Sequence, residues 1–463
     1  MRASFVYGSL AIAASVVAAA AAGGSLSACG SDAVNNGFDN DAAAAADGGP
    51  DPGPGFLPGT DGGAPPAACK GLQCQVQACT PTTKTRLTGT VLAPTPSQFG
   101  KPDPIYNAIL YVPNAALAPF PEGSSCDKCG AVTSGEPIVT ALSAADGTFT
   151  LEDVPVGKDI PLVIQVGRWR RQVTIPSVPA CAETKLVADQ TRLPRNKTEG
   201  DIPLMAIATS PYDPTECILR KIGIDESEFT VPTQTGRVHI YKGQGATLAG
   251  ATPPSSSTLW ATPAQLQKYD LVAFPCQTGG GPDTAGKQNI QGYADTGGRV
   301  YVTDLSEDII MNGPTGWPTT ATWGGAGSYS NPASIDTSFP KGAALADWLQ
   351  AIGATTTKGQ LDLQDTYYRL SKANAPSQRW VYSAASTQTY SFNTPVGADA
   401  MNQCGRVVYS SFHIATGSGP SFPSECTATP LTPQEKVLEF LLFDLAACIQ
   451  KDDTPPVPPP PVK

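Results

Sequence analysis

The stretch Tyr269-Asp270-Leu271-Val272-Ala273-Phe274-Pro275-Cys276, followed by Gly292-Tyr293-Ala294-Asp295-Thr296-Gly297-Gly298-Arg299-Val300-Tyr301-Val302-Thr303-Asp304, decides how the larger part of this chain folds. Residues 270–275 and 299–304 are short runs of apolar and β-branched character without polar alternation, the pattern of strands buried on both faces. Residues 288–294 between them read as a helix that Gly297-Gly298 ends. The same alternation extends outward. Residues 202–208 read as an apolar strand, and Asp213-Pro214-Thr215-Glu216 opens a helix through Leu219 and Ile222. A strand over 237–241 follows, then Thr262-Pro263-Ala264-Gln265, a capping box with proline at the first helical position. Residues 342–349 read as a helix and 406–410 as a late strand. Thr432-Pro433-Gln434-Glu435 starts a last helix running to about residue 449. Alternating strands and helices predict an α/β domain with a mostly parallel sheet over residues 199–450.

Upstream the period changes. Strands are expected over residues 85–91, 105–112, 137–142, 148–154, 161–166 and 171–175. The turn signals Asp103-Pro104, Asp146-Gly147 and Gly157-Lys158-Asp159 separate them. Short strands at this spacing predict a β-sandwich over residues 68–198. The two ends have other compositions. Arg2, an apolar run over residues 3–22 and the small residues before Cys29 have the layout of an export signal, residues 1–28. Residues 29–67 carry six Asp and no Lys or Arg among Ala, Gly and Pro, which suits a disordered tether. Residues 451–463 form a Pro-rich tail, read as a polyproline spacer.

With 463 residues, 41% hydrophobic and 15% charged, the chain can bury a sizeable core. A net charge of −10 without clustered Lys and Arg argues against a nucleic-acid partner. Twelve cysteines in an exported chain point to disulfides. With Cys29 set aside eleven remain, so at least one thiol is free or paired to another molecule. Cys126-Asp127-Lys128-Cys129 admits a structural, a metal-binding or a redox reading. Two histidines in the whole chain argue against a multi-histidine metal site, and no cofactor is expected.

Three resemblances add to this. Leu26-Ser27-Ala28-Cys29 resembles a bacterial lipobox. It implies lipidation at Cys29, a membrane partner reached through that lipid and, with Gly30 next, an outer-membrane location. Leu87-Thr88-Gly89-Thr90-Val91 and the run 145–157, with Asp146-Gly147-Thr148-Phe149-Thr150-Leu151 and Pro155-Val156-Gly157, resemble the carboxypeptidase regulatory-like domain. That implies a transthyretin-like (prealbumin-like) sandwich, grouped with carbohydrate-binding-like folds. The 269–276 and 292–302 stretches, with 405–413, resemble a class I glutamine amidotransferase-like domain, which implies a flavodoxin-like α/β fold. Active members carry a cysteine in a Gly-x-Cys-x-Gly elbow and a His-x-Glu pair. Here Phe274-Pro275-Cys276-Gln277-Thr278 lacks both glycines, the elbow strand ends Val302-Thr303-Asp304-Leu305-Ser306 without cysteine, and His413 is followed by Ile414-Ala415. The expected triad is therefore missing.

Two candidate sites remain. Cys276, Asp304 and His413 all fall at carboxyl ends of expected strands, where α/β sheets bind ligands. A Cys276/His413 nucleophile pair competes there with a disulfide at Cys276 and a structural role for His413. His239, in mid-strand, reads as core. Trp169 between Arg168 and Arg170 offers a surface for a sugar ring or acidic polymer, against the alternative that Trp169 packs inward. The function this favours is a non-enzymatic, membrane-tethered binding module for carbohydrate, surface polymer or another envelope component. A divergent Cys/His hydrolase and a purely structural envelope protein are the alternatives.

Overall fold

The computed structural model describes residues 69–131, 133–324, 330–364, 366, 369–384, 386–414 and 419–461. The expected signal, Cys29 and the whole tether lie outside the described residues. Among the described residues no helix is long and apolar enough to cross a membrane. The chain combines several mixed β-sheets with few helices.

The first part is β-rich. Thr148–Glu152, Arg86–Thr90 and Glu183–Lys185 form a three-stranded sheet. Pro137–Leu142, Ile109–Pro113, Gly157–Val166 and Trp169–Val178 form a four-stranded antiparallel sheet. Leu87, Phe149 and Leu151 from the first and Leu110, Leu162, Ile164 and Ile175 from the second share one core. Asp146-Gly147 turns as expected: Asp146 Oδ1 accepts from the Thr148 amide at 3.0 Å and Gly147 takes φ +73°.

The second part is a ten-stranded sheet. In spatial order it runs Gln360–Leu361, Ala333–Ile335, Gln378–Ser383, Ser386–Thr394, Gly405–Ser410, Arg299–Thr303, Leu271–Phe274, Met205–Ala208, Val238–Tyr241 and Phe229–Thr230. The last six are mutually parallel. The first four pair antiparallel, and these the sequence analysis did not foresee. Alternate residues of each central strand enter two different cores. Ile207, Ala273, Tyr301 and Val408 face one side, and Ala206, Val272, Val300 and Val407 the other. This is why the runs read as continuously apolar.

The helices Thr215–Ile222, Thr284–Asp295, Pro340–Ala351 and Pro433–Ala446 flank this sheet. The Thr432–Glu435 capping box forms as read: the Glu435 amide donates to Thr432 Oγ1 at 3.3 Å, and the Thr432 amide to Glu435 Oε2 at 2.7 Å. Ten of the fourteen residues of Pro433–Ala446 are buried. The β-rich part covers that helix: Trp169 meets Phe443 edge-on at 4.6 Å, and Tyr106 stacks on Phe440 at 5.6 Å. Gly167 makes the approach possible. Its φ is +55°, and a Cβ there would lie 1.7 Å from the Ala446 carbonyl oxygen.

The Pro-rich tail does not project as a spacer. Thr140 Oγ1 donates to the Pro459 carbonyl at 2.6 Å, and Pro456, Val457 and Pro459 line a pocket together with Ile109, Leu142 and Gln165.

Five disulfides join Cys69–Cys74, Cys79–Cys181, Cys126–Cys404, Cys129–Cys448 and Cys217–Cys426. Cys126 and Cys129 thus pair with separate partners in the α/β part, so neither a redox pair nor a metal pair forms there. Cys276 is the one free thiol among the described cysteines. Peptide mapping without reductant is expected to recover these five pairs with Cys276 unpaired. Cys129→Ser is expected to cost about 2–5 kcal/mol of unfolding free energy. A denaturation midpoint equal to that of the parent would contradict this.

Candidate functional site

The parallel strands stand in the order second, first, third, fourth, fifth, counting along the chain from Met205–Ala208 and leaving aside the short edge strand Phe229–Thr230. The order reverses between Met205–Ala208 and Leu271–Phe274, and the carboxyl ends of strands at such a reversal diverge into a crevice. Cys276 follows Leu271–Phe274, Asp304 follows Arg299–Thr303, and His413 follows Gly405–Ser410. All three converge. A sulfur, a carboxylate oxygen and a ring nitrogen from Cys276, Asp304 and His413 lie within 4.8 Å of one another. His413 Nε2 pairs with Asp304 Oδ2, and the Cys276 sulfur lies beside that pair. Cys276 is 1% exposed and the Asp304 side chain 2%, whereas the His413 side chain is 23% exposed and forms the solvent edge of the group.

Asp304 sits at a sharp strand-to-turn corner. Its φ is +41°, a left-handed value that costs a non-glycine residue about 1–3 kcal/mol. The chain then enters the short 3-10 turn Asp304–Glu307. This corner turns the Asp304 carboxylate toward His413 and the Leu305 amide toward the Cys276 sulfur. The missing elbow glycines therefore do not prevent an elbow. It carries an acid instead of a thiol, and the thiol comes from the neighbouring strand.

The electrostatics follow from burial and pairing. Desolvation pushes the Cys276 thiol up, more than the His413 and Leu305 hydrogen bonds pull it down. Burial pulls His413 down, but hydrogen bonds to Asp304 and Cys276 and the charges of Asp304 and Asp213 outweigh it and raise it to about 10. The resting group is thus a thiol beside an imidazolium–carboxylate pair. A thiolate, an imidazole and a carboxylate are also a competent donor set for a tetrahedral divalent cation. Here Asp304 and His413 are paired with each other.

Ser210, Asp213 and Thr303 were not foreseen. Ser210 Oγ donates to the Cys276 carbonyl, the Cys276 amide donates to Thr303 Oγ1 at 2.9 Å, and the Ile414 amide donates to Asp213 Oδ1 at 2.9 Å. By sequence Asp213 opens the following helix. The helix cap is Pro214, and the Asp213 side chain points into the site instead. The available signal was a buried acid just past the carboxyl end of the first parallel strand.

The second candidate surface is not a surface. Trp169 is 4% exposed and its ring faces Phe443. Arg168 donates to Asp270 at 2.5 Å, to Asp127 at 3.2 Å and to the carbonyls of Pro121 and Gly123. Arg170 pairs with Asp201 at 2.8 Å and lies 4.1 Å from the Phe120 ring centre. All three are engaged where the β-rich part meets the α/β part, which corrects the expectation of a sugar-stacking face. His239 is core as expected, 7% exposed, its Nδ1 3.1 Å from the Tyr269 hydroxyl.

No protein-family model matches the chain, and no curated protein matches it. Among the solved structures that align, two show low identity. One is a type II cohesin–X–dockerin complex from Acetivibrio cellulolyticus, with 15% identity and a TM-score of 0.17, over 30% of this chain and 85% of that one. The other is a cytoplasmic protein from Salmonella typhimurium, with 11% identity and a TM-score of 0.25, over 46% of this chain and 88% of that one. Likenesses of this size carry no argument about fold or function.

With only two histidines, proton NMR reads each directly. One C2 proton is expected to titrate near 10 (His413) and the other below 6.5 (His239, lowered by burial). Asp304→Asn should bring the first down toward the ordinary imidazole range. Two titrations near 6.5 in the parent protein would show that the Asp304–His413 pair does not form.

Proposed function

We propose that this is an exported, lipid-anchored envelope protein whose α/β part performs thiol-dependent acyl transfer or hydrolysis at Cys276. The observation that carries this reading is the meeting of the one free thiol among the described cysteines with His413 and Asp304 at the carboxyl ends of three adjacent parallel strands, the first of which borders the strand-order reversal. Cys276 is the nucleophile, His413 the acid–base group, and Asp304 the partner that keeps His413 protonated. The α/β part is then a degenerate relative of the glutamine amidotransferase-like fold, and the β-rich part a carboxypeptidase regulatory-like sandwich.

The step balances as follows. The Cys276 thiol releases its proton to solvent, and the thiolate is held by the imidazolium and the Leu305 amide. It attacks the substrate carbonyl carbon, and the oxyanion collapses as His413 gives its proton to the departing group. The neutral imidazole then takes a proton from water, the hydroxide cleaves the thioester, and the acid leaves with thiolate and imidazolium restored.

A second reading, a non-enzymatic binding module for carbohydrate or surface polymer, draws on a different feature. A groove of about 920 Å³ lies between the two parts, lined by Phe120, Lys197, Arg237 and Lys268 among others. The purely structural alternative has no comparable feature in its support.

Incubation with p-nitrophenyl acetate should leave an acetyl group on Cys276, found by peptide mass spectrometry. His413→Gln should reduce its formation about 10²- to 10⁴-fold. The rate should climb from pH 7 to pH 9, because burial raises the thiol, and fall again near 10 as His413 loses its proton. Acetylation at other residues only would end the catalytic reading. Independently, Cys29→Ser should move the protein from the membrane to the soluble fraction, and retention in the membrane would refute the lipid anchor.

A further inference from the structure

We propose that Asp213 is the positioning residue of the site, one buried carboxylate whose two oxygens tie together the chain segments that carry Cys276, Asp304 and His413. The inference rests on the thiol-dependent reading above and adds the residue that holds its geometry. Asp213 is 0% exposed and lies between Met205–Ala208 and Thr215–Ile222. Oδ1 accepts from the Ile414 amide at 2.9 Å, which sets the backbone next to His413. Oδ2 accepts from the Thr303 hydroxyl, on the residue before Asp304. Thr303 Oγ1 in turn accepts from the Cys276 amide at 2.9 Å. Three strand ends are thus joined by one chain of hydrogen bonds that starts from a single side chain.

The same loop holds Cys276 from its other side. Ser210 Oγ donates to the Cys276 carbonyl and itself accepts from the Tyr212 amide at 3.1 Å. The peptide groups on both sides of Cys276 are therefore fixed from residues 210–213, directly or through Thr303. A buried carboxylate persists only when its oxygens are bonded, and both oxygens of Asp213 are committed to this framework. Asp213 does not cap the following helix, whose cap is Pro214. Burial pushes Asp213 up to about 6, against the Thr303 and Ile414 hydrogen bonds and the His413 charge, with Asp304 pushing further up. Glu216 and Tyr301 also feel its charge.

Asp213 touches none of the reacting atoms, so its loss should alter Cys276 reactivity while the fold stays. The test uses the full chain and two variants, Asp213→Asn and Thr303→Val, with His413→Gln as control. Two readouts are followed: the acetylation rate of Cys276 by p-nitrophenyl acetate, and the His413 C2 proton titration. Asp213→Asn keeps the volume but turns a donor toward one of two donors. Thr303→Val breaks the link to the Cys276 amide without touching Asp213, and it decides the matter if Asp213→Asn does not fold. The expected result is an acetylation rate lower by about 10- to 100-fold in both variants. The His413 titration should be lower in Asp213→Asn, with near-ultraviolet circular dichroism unchanged. If His413→Gln slows acetylation while both variants react like the parent, Asp213 has no positioning role. If His413→Gln itself changes nothing, the thiol-dependent reading falls first.

Discussion

The helix Pro433–Ala446 has almost no solvent side, and the rest of the described structure is arranged around that constraint. Leu438, Leu441, Phe440 and Phe443 spread apolar surface around its circumference, and a helix of this kind needs cover on every flank. The parallel sheet supplies one flank and the β-rich part another. Four of its charged contacts reach other elements. Lys221 reaches Glu435 at 3.5 Å, Lys341 reaches Asp444 at 2.6 Å, Arg406 reaches Asp444 at 3.3 Å, and Lys436 reaches Asp103 at 2.5 Å. Such pairs contribute little net stability once desolvation is counted, but removing one partner strands a buried charge. They therefore define which elements can sit against the helix. Glu439, fully buried near Asp103, is held well above the usual carboxylate range by burial and then by that charge.

The junction between the two parts is closed by the segment 119–129. Arg168 draws the Pro121 and Gly123 carbonyls, Asp127 and Asp270 around one guanidinium. Cys126 and Cys129 then bind the same segment covalently to the α/β part across sequence separations of 278 and 319 residues. Cross-links over loops this long remove much chain entropy from the unfolded state. An apolar helix, a multiply bonded arginine and two disulfides thus act on one interface. In consequence the parts expected as separate domains, residues 68–198 and 199–450, share a continuous core.

The candidate site depends on that rigidity. Cys276, Asp304 and His413 come from three strand ends. Their meeting requires strand registers held to within a fraction of an ångström, and the backbone at Asp304 is held in a left-handed conformation that an isolated chain would leave. The buried framework of Ser210, Asp213 and Thr303 is the local means of holding it. Polar groups satisfied in this way are stiff, because each would be costly to leave unpaired in a low-dielectric interior.

By itself the sequence determined those features that depend on neighbouring residues. Leu271–Phe274 and Arg299–Thr303 were legible as doubly buried strands from their unbroken apolar character. The Thr432–Glu435 box was legible because a cap is a contact across three residues, and the Asp146-Gly147 turn because it is closed by its own side chain. The strand-end positions of Cys276, Asp304 and His413 followed from the same local patterns. Tertiary structure alone decided the rest. It set that Cys276 stays free while ten other cysteines pair, since pairing depends on three-dimensional proximity over hundreds of residues. It turned Trp169 inward, because an arginine-flanked tryptophan looks the same in sequence whether it meets solvent or Phe443. It made Asp213 part of the site instead of a helix cap, because its partners Thr303 and Ile414 lie 90 and 201 residues away. Short-range order is encoded in spacing. Which distant groups share a buried hydrogen bond is settled only when the chain has packed.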